Sequence, residues 1–243
     1  MKIIADLHTH TMVSQHAYST LDELSMAAKE RGFTALAVTD HGPGMPDGAI
    51  AHHFFCLAGL PSRVNGVTLY KGVETNIMNY EGTLDMKEED LARLDFVIAS
   101  YHVECITPAS VKEHTTGLIR SLENPYVDCL GHCGNPVFSI DPEAVVKACA
   151  EHRKLIEINS SSFKIRKGSD ITCRKIAQLC ASYGVSVVVN SDAHSKWQVG
   201  EHTEAIHMLE EIHFPEELVL NADSQRVEEY FLKKRNGVNS RGV

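Results

Sequence analysis

Nine side chains of metal-ligand type follow one another along the 243-residue chain: His8, His10, His16, His41, Glu74, His102, His132, Asp192 and His194. Imidazole and carboxylate together are the ligands of zinc, iron and manganese sites. Seven of the nine lie at or just beyond the end of a short apolar run that reads as a β-strand. Parallel α/β barrels build their active sites from the C-terminal ends of their strands. So many ligand-type residues in corresponding places predict a polynuclear metal site.

Two pairs share one spacing. His8 and His10 stand at i and i+2, as do Asp192 and His194, and on a strand that spacing puts both side chains on one face. Asp6 has the same parity and is expected to orient a ligand imidazole from behind. Asp40, just before His41, is a candidate for the same supporting role, for a helix cap or for a plain turn residue. Glu74 has two carboxylate oxygens and can bridge two metals, which an imidazole does not do. His16, His102 and His132 would each be ordinary alone and gain meaning only from their companions. Of the other seven histidines, His114, His152, His207 and His213 fall in helical or helix-flanking segments and read as solvated. His52, His53 and His202 could border the site without being ligands. Arg166 and Lys167, in the loop after the N-S-S-S run at 159–162, are either a cationic clamp for a substrate phosphate or a solvated basic turn.

These side chains need a scaffold that brings strand ends together. Seven strand-like runs can be picked out, at roughly residues 2–8, 34–40, 67–74, 95–101, 126–132, 154–159 and 185–192. Helix signals separate most of them. Thr20 and Glu23 form a capping box, with Gly32 placed to end the helix they open. Asp141-Pro142 puts an N-cap before a proline at the first helical position. Cys173, Ile176, Ala177 and Cys180 recur with helical period, and Gly184 follows. Strand followed by helix, repeated, means parallel strands with right-handed crossovers. A barrel of this kind takes about 250 residues, so one domain accounts for residues 1–243. The stretch after Glu74 is short and acidic, which predicts a reduced helix there. Seven strands in place of eight imply a distorted, TIM-like (β/α)7 barrel, closed by a C-terminal helix over residues 219–232.

Apolar content of 43% and charged content of 23% match ordinary globular usage and argue against long disorder. A net charge of -9 without any lysine- or arginine-rich block argues against long nucleic acid as a partner. Seven cysteines, none in a C-x-x-C pair, argue against a disulfide framework and for a reducing cytoplasm. No uncharged apolar run is long enough to span a bilayer, so no membrane is expected.

Five motifs occur in order: D-L-H-T-H at 6–10, V-T-D-H-G at 38–42, G-V-E-T-N at 72–76, G-H-C-G-N-P at 131–136 and N-S-D-A-H at 190–194. Over nearly the whole chain they resemble the polymerase-and-histidinol-phosphatase (PHP) family, and within it the short, stand-alone YcdX-like phosphatases. The resemblance implies a distorted (β/α)7 barrel with three divalent metals, usually zinc, although such ligands also accept manganese and iron. It implies that His8, His10, Glu74 and Asp192 hold the first metal. Glu74, His102 and His132 would hold the second, and His16, His41 and His194 the third. The expected activity is hydrolysis of a small phosphate monoester by metal-activated hydroxide, with Asp192, His194 and Glu74 at the reaction centre and Arg166 and Lys167 on the substrate. Metal ions can lower the pKa of water to about 7 and offset charge developing at phosphorus. Three other readings stand beside it: a phosphodiesterase or exonuclease, an amidohydrolase-like enzyme that also opens on H-x-H, and a non-catalytic metal-binding module. The acidic balance counts against the first, and the extra trio His16, His41 and His194 against the second.

Overall fold

The computed structural model describes residues 1–239. Its core is a nearly closed ring of seven parallel strands: β1 (Ala5–Asp6), β2 (Ala35–Val38), β4 (Val67–Asn76), β5 (Phe96–Ser100), β6 (Cys129–Leu130), β7 (Leu155–Asn159) and β8 (Val187–Asn190), hydrogen-bonded in that order. The expected single-domain (β/α)7 barrel is therefore what the chain builds. Strands such as Phe96–Ser100 are buried on both faces, as parallel strands covered by helices are. An additional two-residue strand, β3 (Arg63–Val64), folds back antiparallel on β4 and was not anticipated. Its turn is Asn65-Gly66, both at positive φ (53° and 88°), the backbone that two-residue hairpins favour.

Helices fill the crossovers, α1 (Leu21–Glu30), α2 (Ala51–Cys56), α3 (Glu88–Leu91), α4 (Val111–Ser121), α5 (Pro142–His152), α6 (Ser162–Ile165) and α7 (Ser169–Tyr183), and α8 (Thr203–Glu211) follows the last strand. The Thr20/Glu23 capping box opens α1, and Ser110/Glu113 forms a second one at α4. Asp141 accepts the amides of Glu143 and Ala144 at the head of α5. The unit after Glu74 is reduced to the single turn of α3, as its acidic composition predicts. His114 departs from expectation: it is buried in α4, its Nδ1 2.8 Å from the Ser139 carbonyl and its Nε2 accepting from the Ala109 amide at 2.7 Å.

The last helix, α9 (Ser224–Asn239), covers the N-terminal end of the barrel. Val227 and Phe231 pack into a cluster that draws on every barrel strand, through Ala5, Ala35, Tyr70, Phe96, Cys129, Leu155 and Val188 among others. The opposite, C-terminal end is left for chemistry. Residues 240–243 of the expected domain lie outside the described residues. Among the described residues, no helix is long and apolar enough to cross a membrane.

The ring closes by an unusual contact. β1 and β8 are not joined by a regular ladder; Asn221, fully buried, stands between them. Its Nδ2 donates to the carbonyls of Ala5 (2.8 Å) and Val189 (2.6 Å), its Oδ1 accepts the Val189 amide (3.0 Å), and its own carbonyl accepts the Ile4 amide (2.9 Å). Truncating Asn221 to Ala leaves three buried backbone groups unpaired, a cost of about 3 kcal/mol. In a domain of this size that lowers the melting temperature by roughly 10 °C. A thermal melt that moved by less than about 2 °C would show that the seam does not depend on this side chain.

Candidate metal centre

The end of β1 and the end of β8 are pinned to each other by a parallel bridge between Thr9 and Ala193, with the His10 amide donating to the Ala193 carbonyl at 2.8 Å. Thr9 turns its hydroxyl outward to the Ala37 carbonyl (2.7 Å). Alternation then sends His8 and His10, and across the seam Asp192 and His194, toward the barrel mouth. A second bridge, His41 to Glu74, does the same for β2 and β4.

Glu74 is the centre of the cluster and has no exposure to solvent. Its Oε2 lies 2.9 Å from His41 Nδ1, 3.3 Å from His8 Nε2 and 3.6 Å from His10 Nε2. Its Oε1 lies 2.9 Å from His132 Nε2 and 3.4 Å from His102 Nε2. Asp192 Oδ1 is 3.3 Å from His10 Nε2 and 3.5 Å from His8 Nε2. His16 joins through its Nε2, 3.0 Å from His194 Nε2, and its ring centroid is 5.0 Å from that of His41. All nine ligand-type residues named from the sequence thus meet at one barrel mouth. Asp192 (φ 55°) and His132 (φ 26°) adopt the left-handed backbone that β-carbon-bearing residues seldom use. Such strain, about 1–3 kcal/mol each, persists where the surroundings fix the geometry, and it collects at functional sites.

Charge and burial set the protonation states. Burial holds His10 and His132 below the ordinary histidine range, with neighbouring His41 and His194 adding to the effect on His10 and Arg166 to that on His132. Burial also depresses His194, against the pull of Asp192. Glu74 and Asp192 are held well below the carboxylate range although burial pushes them up, because His8 and other imidazoles surround them.

The arrangement fits divalent cations. His16 Nδ1 is 2.7 Å from Asp47 Oδ2, and His194 Nδ1 is 2.9 Å from the Asp192 carbonyl. Both partners are acceptors, so each Nδ1 carries the proton and the two Nε2 lone pairs point at each other. His8 Nδ1 is likewise committed to Glu157 Oε1 (2.7 Å) and His102 Nδ1 to Asn76 Oδ1 (2.7 Å), which turns both Nε2 lone pairs toward carboxylate oxygens. His10 Nδ1 and Nε2, His8 Nε2, His41 Nδ1, Glu74 Oε2 and Asp192 Oδ1 are buried without a hydrogen-bond partner. Buried acceptors that converge with too few donors to pair them are the condition a cation relieves. Without one, His8 must supply the charge: despite its burial, Glu157, Glu74 and Asp192 raise its pKa well above the ordinary value. Three groups of donors have their ligand atoms within 4.8 Å of one another: His10, His41 and His194; His8, His10 and Glu74; His41, Glu74 and His102.

A cavity of about 560 Å³ opens above the cluster, and His16, His41, His102, Asp192, His194 and Arg166 form part of its wall. Arg166 donates to Ser162 Oγ at 3.0 Å and approaches Asp192 Oδ2 at 3.6 Å. Lys167 is exposed and does not line this cavity. Asp6 departs from the expected role. It accepts from the amides of Ser191 (3.1 Å) and Gly200 (2.9 Å) and lies 3.5 Å from His202, so it shapes the loop after β8 and orients none of the seven ligand-type imidazoles. Asp40 supports the loop between His10 and His16, accepting from Thr11 N (2.8 Å), Thr11 Oγ1 (2.8 Å) and Ser14 Oγ (2.8 Å). Three supporting residues escaped the sequence reading: Asp47, Asn76 and Glu157. Glu157 had a signal, since a carboxylate inside the apolar strand L-I-E-I-N must find partners.

The PHP domain family model matches residues 6–165, and the PHP-associated model matches residues 170–220. A probable phosphatase of Acetivibrio thermocellus is 45% identical over 238 residues, which cover 98% of this chain and 99% of the relative. A probable phosphatase of Clostridium botulinum (strain Okra) is 46% identical over 234 residues, covering 96% of each chain. Among solved structures, the histidinol phosphate phosphatase of Lactococcus lactis, complexed with zinc, L-histidinol and phosphate, superposes with a TM-score of 0.61 at 17% identity, covering 87% of this chain and 94% of that one. The putative histidinol phosphatase of Listeria monocytogenes gives 0.62 at 14% identity, with coverages of 83% and 99%. At these identities the structural likeness speaks for the fold.

Proposed function

The chain belongs to the PHP family, and from that premise we propose that this phosphatase hydrolyses a small phosphate monoester with three divalent metal ions, zinc first among the candidates. The ligand sets are His8, His10, Glu74 and Asp192; Glu74, His102 and His132; and His16, His41 and His194. The observation that carries the reading is the crowding of five imidazoles about the one buried carboxylate of Glu74, at 2.9–3.6 Å. When bound, such ions supply Lewis acidity that makes water nucleophilic near neutral pH and offsets charge at phosphorus. The chain's own residues prepare and orient. Asp47 and Asn76 fix the rings of His16 and His102, so that their Nε2 lone pairs face inward. Arg166, on the cavity wall, offers guanidinium donors to a phosphate, a planar match that lysine lacks. Asp47 and Glu104 make part of the wall acidic, which together with the net charge of -9 favours a small ester over a nucleic acid strand. Seven free thiols suit a reducing cytoplasm.

Elemental analysis and a substrate panel on one preparation test the proposal. Close to three metal equivalents and turnover of phosphate monoesters are expected. Turnover confined to diesters or amides would sink the monoester reading. Within the panel, Arg166→Ala should raise KM by about 10- to 100-fold, the worth of a charge-assisted contact made equally in ground and transition states, with kcat within a few-fold. Lys167→Ala should match wild type in both, since its side chain stands outside the cavity wall. Equal effects from the two variants would return the whole loop to a general electrostatic role.

A further inference from the structure

Glu157 lies in β7, buried, with both oxygens fully engaged. Oε1 takes His8 Nδ1 at 2.7 Å and Asn190 Nδ2 at 2.9 Å; Oε2 takes the His132 amide at 2.8 Å and Asn159 Nδ2 at 3.1 Å. The four donors come from the end of β1, the loop after β6, β7 itself and β8. Two of these partners extend the net: Asn159 Nδ2 also donates to Asp192 Oδ2 (3.1 Å), and Asn190 Oδ1 accepts the Leu7 amide (3.0 Å). One carboxylate therefore touches His8, the backbone of His132 and, through Asn159, Asp192.

We infer that Glu157 is a positioning residue that couples the first and second metal subsites, fixing the His8 tautomer and the left-handed backbone of His132 with one side chain. The inference rests on the ligand sets proposed above. Hydrogen-bonding a ligand histidine through its other nitrogen orients the ring and raises its basicity, and losing such a partner costs about 10- to 100-fold in metal affinity. Here the same carboxylate also holds His132, whose φ of 26° needs an outside restraint. Only an ionised carboxylate suits the position, because it must accept from four N–H groups and donate to none. Glutamine is nearly isosteric, yet its amide nitrogen would face two of those donors in either orientation. If its oxygen keeps His8, its NH2 opposes the His132 amide; if it flips, the NH2 opposes His8.

Glu157→Gln tests this, beside Ile176→Ala, a core truncation in α7 that loosens the fold without touching a ligand. Both are loaded with cobalt(II), dialysed well below their melting temperatures, and read by elemental analysis, chelator competition and the cobalt visible spectrum. Glu157→Gln should retain about one metal equivalent, on the His16, His41 and His194 set, with affinity for the others down 10- to 100-fold. Ile176→Ala should keep wild-type stoichiometry and spectrum despite a comparable loss in melting temperature. A Glu157→Gln protein that loads like wild type overturns the inference alone. A wild type that takes up no metal overturns the ligand reading and the inference with it. If Glu157→Gln does not fold, Glu157→Asp replaces it; the charge stays, but one methylene less cannot reach His8 and His132 together, and the same two metals should be lost.

Discussion

Glu74→Gln should lower kcat/KM by more than a thousandfold and release more than one equivalent of metal. The substitution barely changes shape, so the barrel should fold. What changes is charge and lone pairs at the point where His8, His10, His41, His102 and His132 converge. The carboxylate is wholly buried, and the histidines around it keep it ionised against the push of burial. In the ligand sets proposed here it is the one residue shared by two metals, so an amide removes an anionic oxygen from each. Its NH2 would also direct protons at a space that five imidazoles reserve for cations. A thousandfold loss corresponds to about 4 kcal/mol of transition-state stabilisation, well within what metals supply in two-metal phosphoryl chemistry. Elemental analysis and steady-state kinetics on the same preparation check it. Wild-type metal content in Glu74→Gln would show that Glu74 bridges no metals.

Much of this centre is legible in the sequence because ligands must be placed by strand ends, and strand ends announce themselves as the close of apolar runs. Spacing i, i+2 did the same for both sides of the β1–β8 seam. Asp6, one step deeper in the barrel, shares the parity of His8 and His10 but not their role, because the amides of Ser191 and Gly200 take its carboxylate first. Arg166 and Lys167 are adjacent, and only the short turn of α6 before them decides that one lines the cavity while the other is exposed. The hairpin at Asn65-Gly66 carries its own turn signal, but the strand it makes is two residues long and too short to show a period of its own. Asn221 carries no such signal. An asparagine before a helix reads as a cap, and its service as a substitute ladder depends on β1 and β8 failing to pair directly, a property of the closed ring rather than of the local chain.

Chelation should abolish activity and also change how stability depends on pH, with opposite signs on the two sides of neutrality. Stripped of cations, the cluster balances Glu74, Asp192 and Glu157 against His8. The three carboxylates have folded-state pKa values below their ordinary ones, so their contribution is present above the carboxylate range and is lost as pH falls through the depressed values. His8 is raised well above its ordinary 6.5, so its contribution is complete below that pH and is lost as pH rises through the raised value. His10, His132 and His194 are depressed by burial, so below the ordinary histidine value the unfolded chain binds more protons there and stability falls again. The metal-free protein should therefore be most stable near neutral pH and weaken toward both acidic and alkaline pH. Metal binding runs the other way, because His8 must give up its proton to present Nε2, and affinity grows as pH rises. At metal concentrations a thousandfold above Kd, each occupied site adds about 4 kcal/mol. The gap in melting temperature between loaded and chelated protein should then exceed 10 °C near pH 7 and widen further by pH 9. Thermal melts of both forms across that range measure it. A gap that is constant or narrows with pH would mean that His8 is no proton-for-metal exchange site, and that its bond to Glu157 serves the fold alone.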